Sequence, residues 1–247
     1  MARISVCLCS YNGEQFIYKQ IKSILNQISI TDELIVIDDC STDKTIDEIR
    51  KFDDKRIKLI INKKNLGICK SFEKCILHSK NRYIFLSDQD DIWHKDKLHF
   101  FKINFINTKK LLITSNFYSI NDSDELLNLK FDGVSSLKSA KYFSNIIDIF
   151  LGKKNYYGCS MAFDRKLIDF LIPFPVFLES HDLWLAIVGN LINSNYHLDE
   201  KLLYKRVHEN NDSTFIERNL FYKIRSRLYF LLHILIFYKR RFLNGKN

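Results

Sequence analysis

At 247 residues the chain is long enough for one substantial core, or for one domain with an appendage. A hydrophobic content of 46% excludes a disordered chain, and 2 prolines with 7 glycines exclude collagen-like or low-complexity sequence. The net charge of +9 suggests nucleic acid until it is located: residues 218–247 carry eight Lys and Arg and no Asp or Glu, so the body is nearly neutral.

RISVCLC (3–9) reads as a β-rich run, and GEQFIYKQIKSILNQ (13–27) places Ile17, Ile21, Ile24 and Leu25 at helical spacing. ELIVIDD (33–39) predicts a second strand, and Ser41 is positioned to cap the helix TDKTIDEIRKF, where Ile46, Ile49 and Phe52 share a face. RIKLII (56–61) predicts a third strand, the segment after Gly67 a third helix, and YIFL (83–86) a fourth strand. Near-continuous apolar strands separated by amphipathic helices indicate an α/β fold, with a mostly parallel sheet covered on both sides.

The second half is less regular. LLITSNFYSI (111–120) and YYGCSMAF (156–163) read as strands, DLWLAIVGNLI (182–192) as a helix, and HLDEKLLYKRVH (197–208) as extended. The expected organisation is one domain over 1–217, split into halves at 110, followed by a basic, amphipathic tail over 218–247. Within that tail the apolar run 228–238 is too short to span a bilayer and has basic flanks, which suits an anionic membrane surface; the alternative is a helix packed on the body or on a second subunit. The six cysteines form no CxxC pair, Cys7 and Cys9 share one face of the first strand, and no signal peptide is evident, so a reduced cytoplasmic setting is expected.

Sheets of this kind bind ligands at the carboxyl ends of their strands. SYNG, IDDCSTD, KKNLG and SDQDD all fall there. The last is the sharpest: Asp88, Asp90 and Asp91 crowd three carboxylates at the end of a buried strand, a repulsive arrangement unless something positive joins them. Oxygen-rich clusters bind hard divalent cations such as Mn2+ or Mg2+; the bland alternative is a polar turn, with Asp91 purely structural. Tyr11 offers a ring face and Asp38 and Asp39 offer acceptors. In ESHDLWLA, Asp182 is either the N-cap of the next helix or a general base beside His181, and in YKRVHENND, Arg206 suits a diphosphate and His208 a metal.

The succession SYNG, IDD with STDKT, KKNLG, SDQDDIW, YYGCSMAF, HDLW and YKRVHENN resembles the family 2 inverting glycosyltransferases of the GT-A fold, and most of all their bacterial rhamnosyltransferase-like branch. The resemblance implies a Rossmann-like nucleotide-binding half in which Tyr11 stacks on the donor base while Asp38, Asp39, Asn65 and Asp88 contact base and ribose. It implies that Asp88, Asp90 and His208 hold the cation at the donor diphosphate, with Asp91, His181 and Arg206 nearby, and that Asp182 deprotonates the acceptor. The implied partners are a dTDP- or UDP-sugar and a saccharide or polyprenyl-linked acceptor, on the cytoplasmic face of the inner membrane. Two other readings stay open: a sugar nucleotidyltransferase, against which SYNG stands where a glycine-rich phosphate loop belongs, and a nucleic-acid-binding protein using the tail.

Overall fold

The computed structural model describes residues 2–129, 131, 133–208 and 219–244. In chain order its elements are β1 (Ile4–Ser10), α1 (Ile17–Leu25), β2 (Glu33–Asp38), α2 (Thr45–Arg50), β3 (Ile57–Ile61), α3 (Ile68–His78), β4 (Tyr83–Ser87), β5 (Ile92–Trp93) and α4 (Lys97–Thr108). There follow β6 (Leu112–Ile120), β7 (Leu126–Leu127), α5 (Tyr142–Phe150), β8 (Met161–Asp164), α6 (Ile168–Leu171), α7 (His181–Leu191), β9 (Asn195–Arg206) and α8 (Leu220–Asn244).

β1 is buried along its whole length, because both of its faces are covered. Ile4, Val6 and Leu8 point into a layer with Ile17, Ile21 and Ile24 of α1 and Phe101 of α4. Cys7 and Cys9 point the other way, toward Phe72 and Ile76 of α3 and Trp184 of α7. Each fully buried Ile or Phe contributes about 1.5–3 kcal/mol, so strand alternation and helix periodicity together fix this layering.

One sheet runs in the order β3-β2-β1-β4-β8-β6-β9-β5, with β7 paired to β6. The first four strands are parallel, as the sequence pattern indicates, and Ser10, Asp38 and Ile61 stand in register at their carboxyl ends. The second half makes the sheet mixed: β8 is antiparallel to both β4 and β6, whereas β6 and β9 are parallel across an irregular register. The strand expected over 156–163 is strand only from Met161; a 3-10 turn occupies Gly158–Ser160.

Two expected caps are corrected. Ser41 does not cap α2, whose first residue is Thr45; the Ser41 hydroxyl donates to Asp38 instead. The cap of α7 is Ser180, which accepts from Leu183 N, and Asp182 lies inside the first turn.

The basic tail is a 25-residue helix, longer than the apolar run suggests. One stripe of it joins the core through Phe230 and Phe237, and the Arg240 guanidinium lies 5.6 Å from the Trp184 ring centroid while donating to the carbonyls of Phe170 and Leu171. No helix among the described residues is long and apolar enough to cross a membrane.

Candidate functional site

The first wall is the turn after β1. Asn12 sits at φ 49°, a left-handed position that Asn tolerates, and its Oδ1 accepts from Thr42 N at 2.9 Å. The Gln89 amide clasps the neighbouring backbone both ways: Tyr11 N donates to Gln89 Oε1 at 2.8 Å, and Gln89 Nε2 donates to Tyr11 O at 3.0 Å. A Cβ on Gly13 would lie 2.2 Å from Gln89 Oε1, so this close approach needs glycine. The clasp leaves the Tyr11 ring 46% exposed.

The second wall carries Asp38 and Asp39. Asp38 is 0% exposed and accepts from Ser10 Oγ (3.1 Å), Ser41 N (2.9 Å) and Ser41 Oγ (2.5 Å). A sealed carboxylate cannot touch a nucleotide, so the direct contact expected of Asp38 is replaced by a loop-holding role. Asp39 accepts from Asn62 Nδ2 (2.7 Å) and from the backbone N–H of Leu66 and Gly67 (both 2.8 Å), which ties the β3–α3 loop to β2. Asn65 is exposed on that loop, its Oδ1 accepting from Gly67 N at 3.0 Å.

The third wall is the acidic cluster after β4. Asp88 is partly exposed, and no described side chain or backbone N–H donates to its carboxylate. Burial pushes its carboxyl up to about 7; Lys205 opposes this, while Asp91, Asp90 and Asp182 add to it. Asp90 Oδ2 faces His208 Nε2 at 3.0 Å. Burial works against the Asp90 charge, but His208 and Lys205 outweigh it and hold its carboxyl below the usual range, while Asp90 in turn raises His208. Asp91 is buried; its Oδ1 accepts from Arg206 N at 3.0 Å, and its Oδ2 has no hydrogen-bond partner among the described residues.

The sequence reading passed over Lys205. Its ammonium is buried near Asp88, Asp90, Asp91 and Cys159; burial would lower its pKa, yet these neighbours hold it above the ordinary lysine value. It lies in YKRVH directly before Arg206, and three crowded carboxylates call for a cation, so the signal was present. Lys97, in the segment that follows SDQDD, is a second buried cation: it donates to the Cys159 carbonyl at 2.5 Å, and burial brings it down to about 8.

Arg206 is not available to a diphosphate. It is 1% exposed, its Nε donates to Asp90 O at 2.9 Å, its Nη2 donates to Asp124 Oδ1 at 2.5 Å, and its guanidinium covers the Phe16 ring at 4.4 Å. It is a strut that holds the SDQDD turn to β9.

The fourth wall is α7. His181 Nε2 and Asp182 Oδ1 are 2.7 Å apart, and His181 stacks on Phe72 with ring centroids 4.2 Å apart. Burial disfavours charge on both, but their attraction prevails: His181 is raised to about 10 and Asp182 is held below the usual range, with Gly158 N and Lys205 assisting. A Cβ on Gly158 would lie 2.8 Å from His181 Nε2 and 2.9 Å from Asp182 Oδ1, which explains the glycine in YYGCS. Glu179, two residues before His181, is turned away to Arg225 and Ser226 of α8.

The donor set can be tested against a divalent cation. Asp88, Asp90 and His208 offer hard oxygens and an imidazole, the chemistry Mn2+ and Mg2+ accept, and Asp88 keeps its carboxylate unclaimed. The described residues with three ligand atoms within 4.8 Å of one another are instead Asp88, Asp91 and Cys159. Burial raises the Cys159 thiol well above its usual pKa, and a protonated thiol is a poor ligand for a hard cation, so such a cation fits the Asp90–His208 side better.

Comparison with known proteins bears on the family and the fold. The sequence pattern of Glycosyl transferase family 2 matches residues 5–171. Escherichia coli WfgD, named as a UDP-Glc:alpha-D-GlcNAc-diphosphoundecaprenol beta-1,3-glucosyltransferase, is 28% identical over 99% of this chain and 97% of its own. Shigella flexneri RfbG, named as a dTDP-rhamnosyl transferase, is 28% identical over 83% of this chain and 72% of its own. The crystal structure of S. aureus TarS 1–349 in complex with UDP-GlcNAc superposes with a TM-score of 0.71 at 20% identity, covering 98% of this chain and 73% of that one; the likeness is one of fold.

Proposed function

The chain belongs to Glycosyl transferase family 2, a GT-A type α/β fold, and on that premise we propose that it is an inverting enzyme transferring a hexose from a nucleoside-diphosphate sugar to a lipid-linked saccharide during surface-polysaccharide assembly. The observation that carries this reading is the open Asp88 carboxylate beside the Asp90–His208 pair, within electrostatic reach of Asp182. Glucose from a UDP donor is the first candidate, since WfgD aligns end to end; rhamnose from a dTDP donor is the second, through RfbG. A polyprenyl-linked acceptor would draw the enzyme to the cytoplasmic face of the inner membrane.

In this reading the chain divides into a donor half (1–110), an acceptor half (111–217) and the tail (218–247). The exposed Tyr11 ring stacks on the donor base, while Asn65 and the rim of Asp39 reach its edge and Asp88 the ribose. Asp88 and Asp90, with His208, would hold Mn2+ or Mg2+, which supplies positive charge to the diphosphate. Lys205, behind the same carboxylates, favours their charged forms against the burial that pushes Asp88 up to about 7. Asp182 accepts the proton of the acceptor hydroxyl, and His181, charged at neutral pH, orients it. The hydroxyl oxygen bonds to the anomeric carbon as the bond to the diphosphate oxygen breaks on the opposite face. One displacement inverts the centre, so no enzyme nucleophile is required.

The test is thermal stabilisation by a panel of nucleotide sugars with manganese, followed by NMR of the transferred linkage. UDP-glucose should raise the melting temperature most and give a β-linked product. A panel in which no nucleotide sugar stabilises the protein, or a product that retains the donor's anomeric configuration, overturns the reading.

A further inference from the structure

Helix α8 has two apolar stripes, and the fold uses only one of them. Phe230, His233 and Phe237 are buried against the body. On the opposite side Ile224, Leu228, Leu231, Leu235, Tyr238 and Phe242 are each between 50% and 65% exposed. With their neighbours Leu232 and Leu243 they form a stripe about 140° wide at 3.6 residues per turn, broader than a coiled-coil seam.

This surface continues sideways on both flanks. The Arg227 guanidinium lies 5.8 Å from the Phe150 ring centroid, and the same α5 exposes Phe143. Phe177 stacks on Tyr229 at 5.4 Å and, with Val176, is exposed on the other flank. Exposed apolar surface of this extent marks an interaction site.

Charge decides between occupants. Described α8 carries Lys223, Arg225, Arg227, Lys239, Arg240 and Arg241 and no acidic residue. The nearest carboxylate, Glu179, is already paired with Arg225 at 3.3 Å. A second copy of the helix would bring like charges together, whereas an anionic surface complements them and lets the basic side chains extend to phosphates while the stripe enters the acyl boundary.

We propose that the outer stripe of α8 is a docking face for an anionic phospholipid bilayer, on which the helix lies in the plane of the interface with its inner stripe still bound to the body. This rests on the lipid-linked reading only in the choice of a bilayer as partner, and it differs from a detachable tail: the catalytic body and the helix would sit on the membrane as one rigid piece. Trp184 of α7 touches both Arg240 and His233 of α8, so α7, which carries His181 and Asp182, would be held at a fixed height above the lipid.

Flotation of the full chain with vesicles tests this, with neither donor nor acceptor present, so its outcome is independent of any transfer assay. Binding is expected to phosphatidylcholine vesicles containing phosphatidylglycerol, to weaken in high salt, and to be absent with pure phosphatidylcholine. Lys239→Gln with Arg241→Gln should weaken it about 25-fold, about fivefold per cation. Leu231→Ser with Leu235→Ser should abolish it while leaving donor binding and the circular dichroism spectrum unchanged, since both side chains face solvent. Equal binding to neutral vesicles, or undiminished binding by the serine variant, overturns the proposal. So does a solution dimer that the serine variant dissociates while vesicles capture nothing; that result assigns the stripe to a second copy.

Discussion

Two parallel strands of this sheet end in adjacent carboxylates, and the two sets do opposite things. At the end of β2, Asp38 and Asp39 each accept three hydrogen bonds from the surrounding loops. At the end of β4, Asp88 accepts none from described residues, Asp91 keeps one buried oxygen without a hydrogen-bond partner among them, and Asp90 meets a histidine. The first set consumes its charge in building the pocket. The second is less tied down: Asp91 alone accepts a backbone N–H, and Lys205 sets its cation against all three carboxylates. The same local grammar, a buried strand running into acids, thus yields a frame in one place and a reactive edge in the other. What separates them is the kind of nearby partner: Ser10, Ser41, Asn62 and two backbone N–H groups for the first, mainly the cationic Lys205 and His208 for the second.

Variants can break or sharpen this contrast. The largest effect is expected at Asp182, which belongs with the reactive set because Asp88 and Lys205 both sense it. Asp182→Asn should lower the transfer rate at least about a hundredfold with donor binding intact, measured in a radiolabelled-donor assay. The same variant has a pH signature. His181 is raised from 6.5 to about 10 by Asp182, so folding takes up a proton between those values. The pair's contribution is fully present below about 6.5 and disappears as pH rises through about 10, so the wild type should lose stability across that window and the variant should not. Melting curves that stay parallel from pH 6 to about 10 would show that the pair contributes nothing.

Next, Asp38→Ala strips a sealed carboxylate of three charge-assisted bonds and should cost about 2–3 kcal/mol in urea unfolding while donor affinity of the folded protein is retained. Asp90→Ala should do the reverse: donor affinity in manganese falls at least about tenfold by calorimetry, and the melting temperature stays near wild type. If Asp38→Ala weakened donor binding, or Asp90→Ala unfolded the protein, frame and edge would not be distinct. The smallest effect belongs to Ser180→Ala, which removes the α7 cap for at most about 1 kcal/mol and should leave transfer unchanged, separating the cap from the proposed base two residues on.

Much of this was legible in the residues. The four parallel strands announce themselves as uninterrupted apolar runs, and the loops that close the pocket carry the polar motifs. Legibility failed where tertiary partners decide. Arg206 and Lys205 are adjacent cations in one strand, and only packing tells that Arg206 is walled in by Asp90 O, Asp124 and Phe16 while Lys205 faces the acids. Ser41 and Asp182 look like caps by local rules, yet near neighbours held in place by the tertiary fold claim both: Asp38, set by β2, and His181, whose ring is pinned by Phe72. The tail shows the same limit. Its composition names a basic amphipathic helix, but which stripe docks depends on where Trp184 and Phe150 present themselves.

Gln89 sits between Asp88 and Asp90, yet its side chain grips the backbone of Tyr11 from both sides. The turn proposed to meet the base and the turn that gathers charge are therefore one mechanical unit. Neither can shift without dragging the other. Base and cation are expected to bind cooperatively through this clasp, and thermodynamic reciprocity makes the coupling equal in both directions. Without the clasp the two binding free energies would simply add.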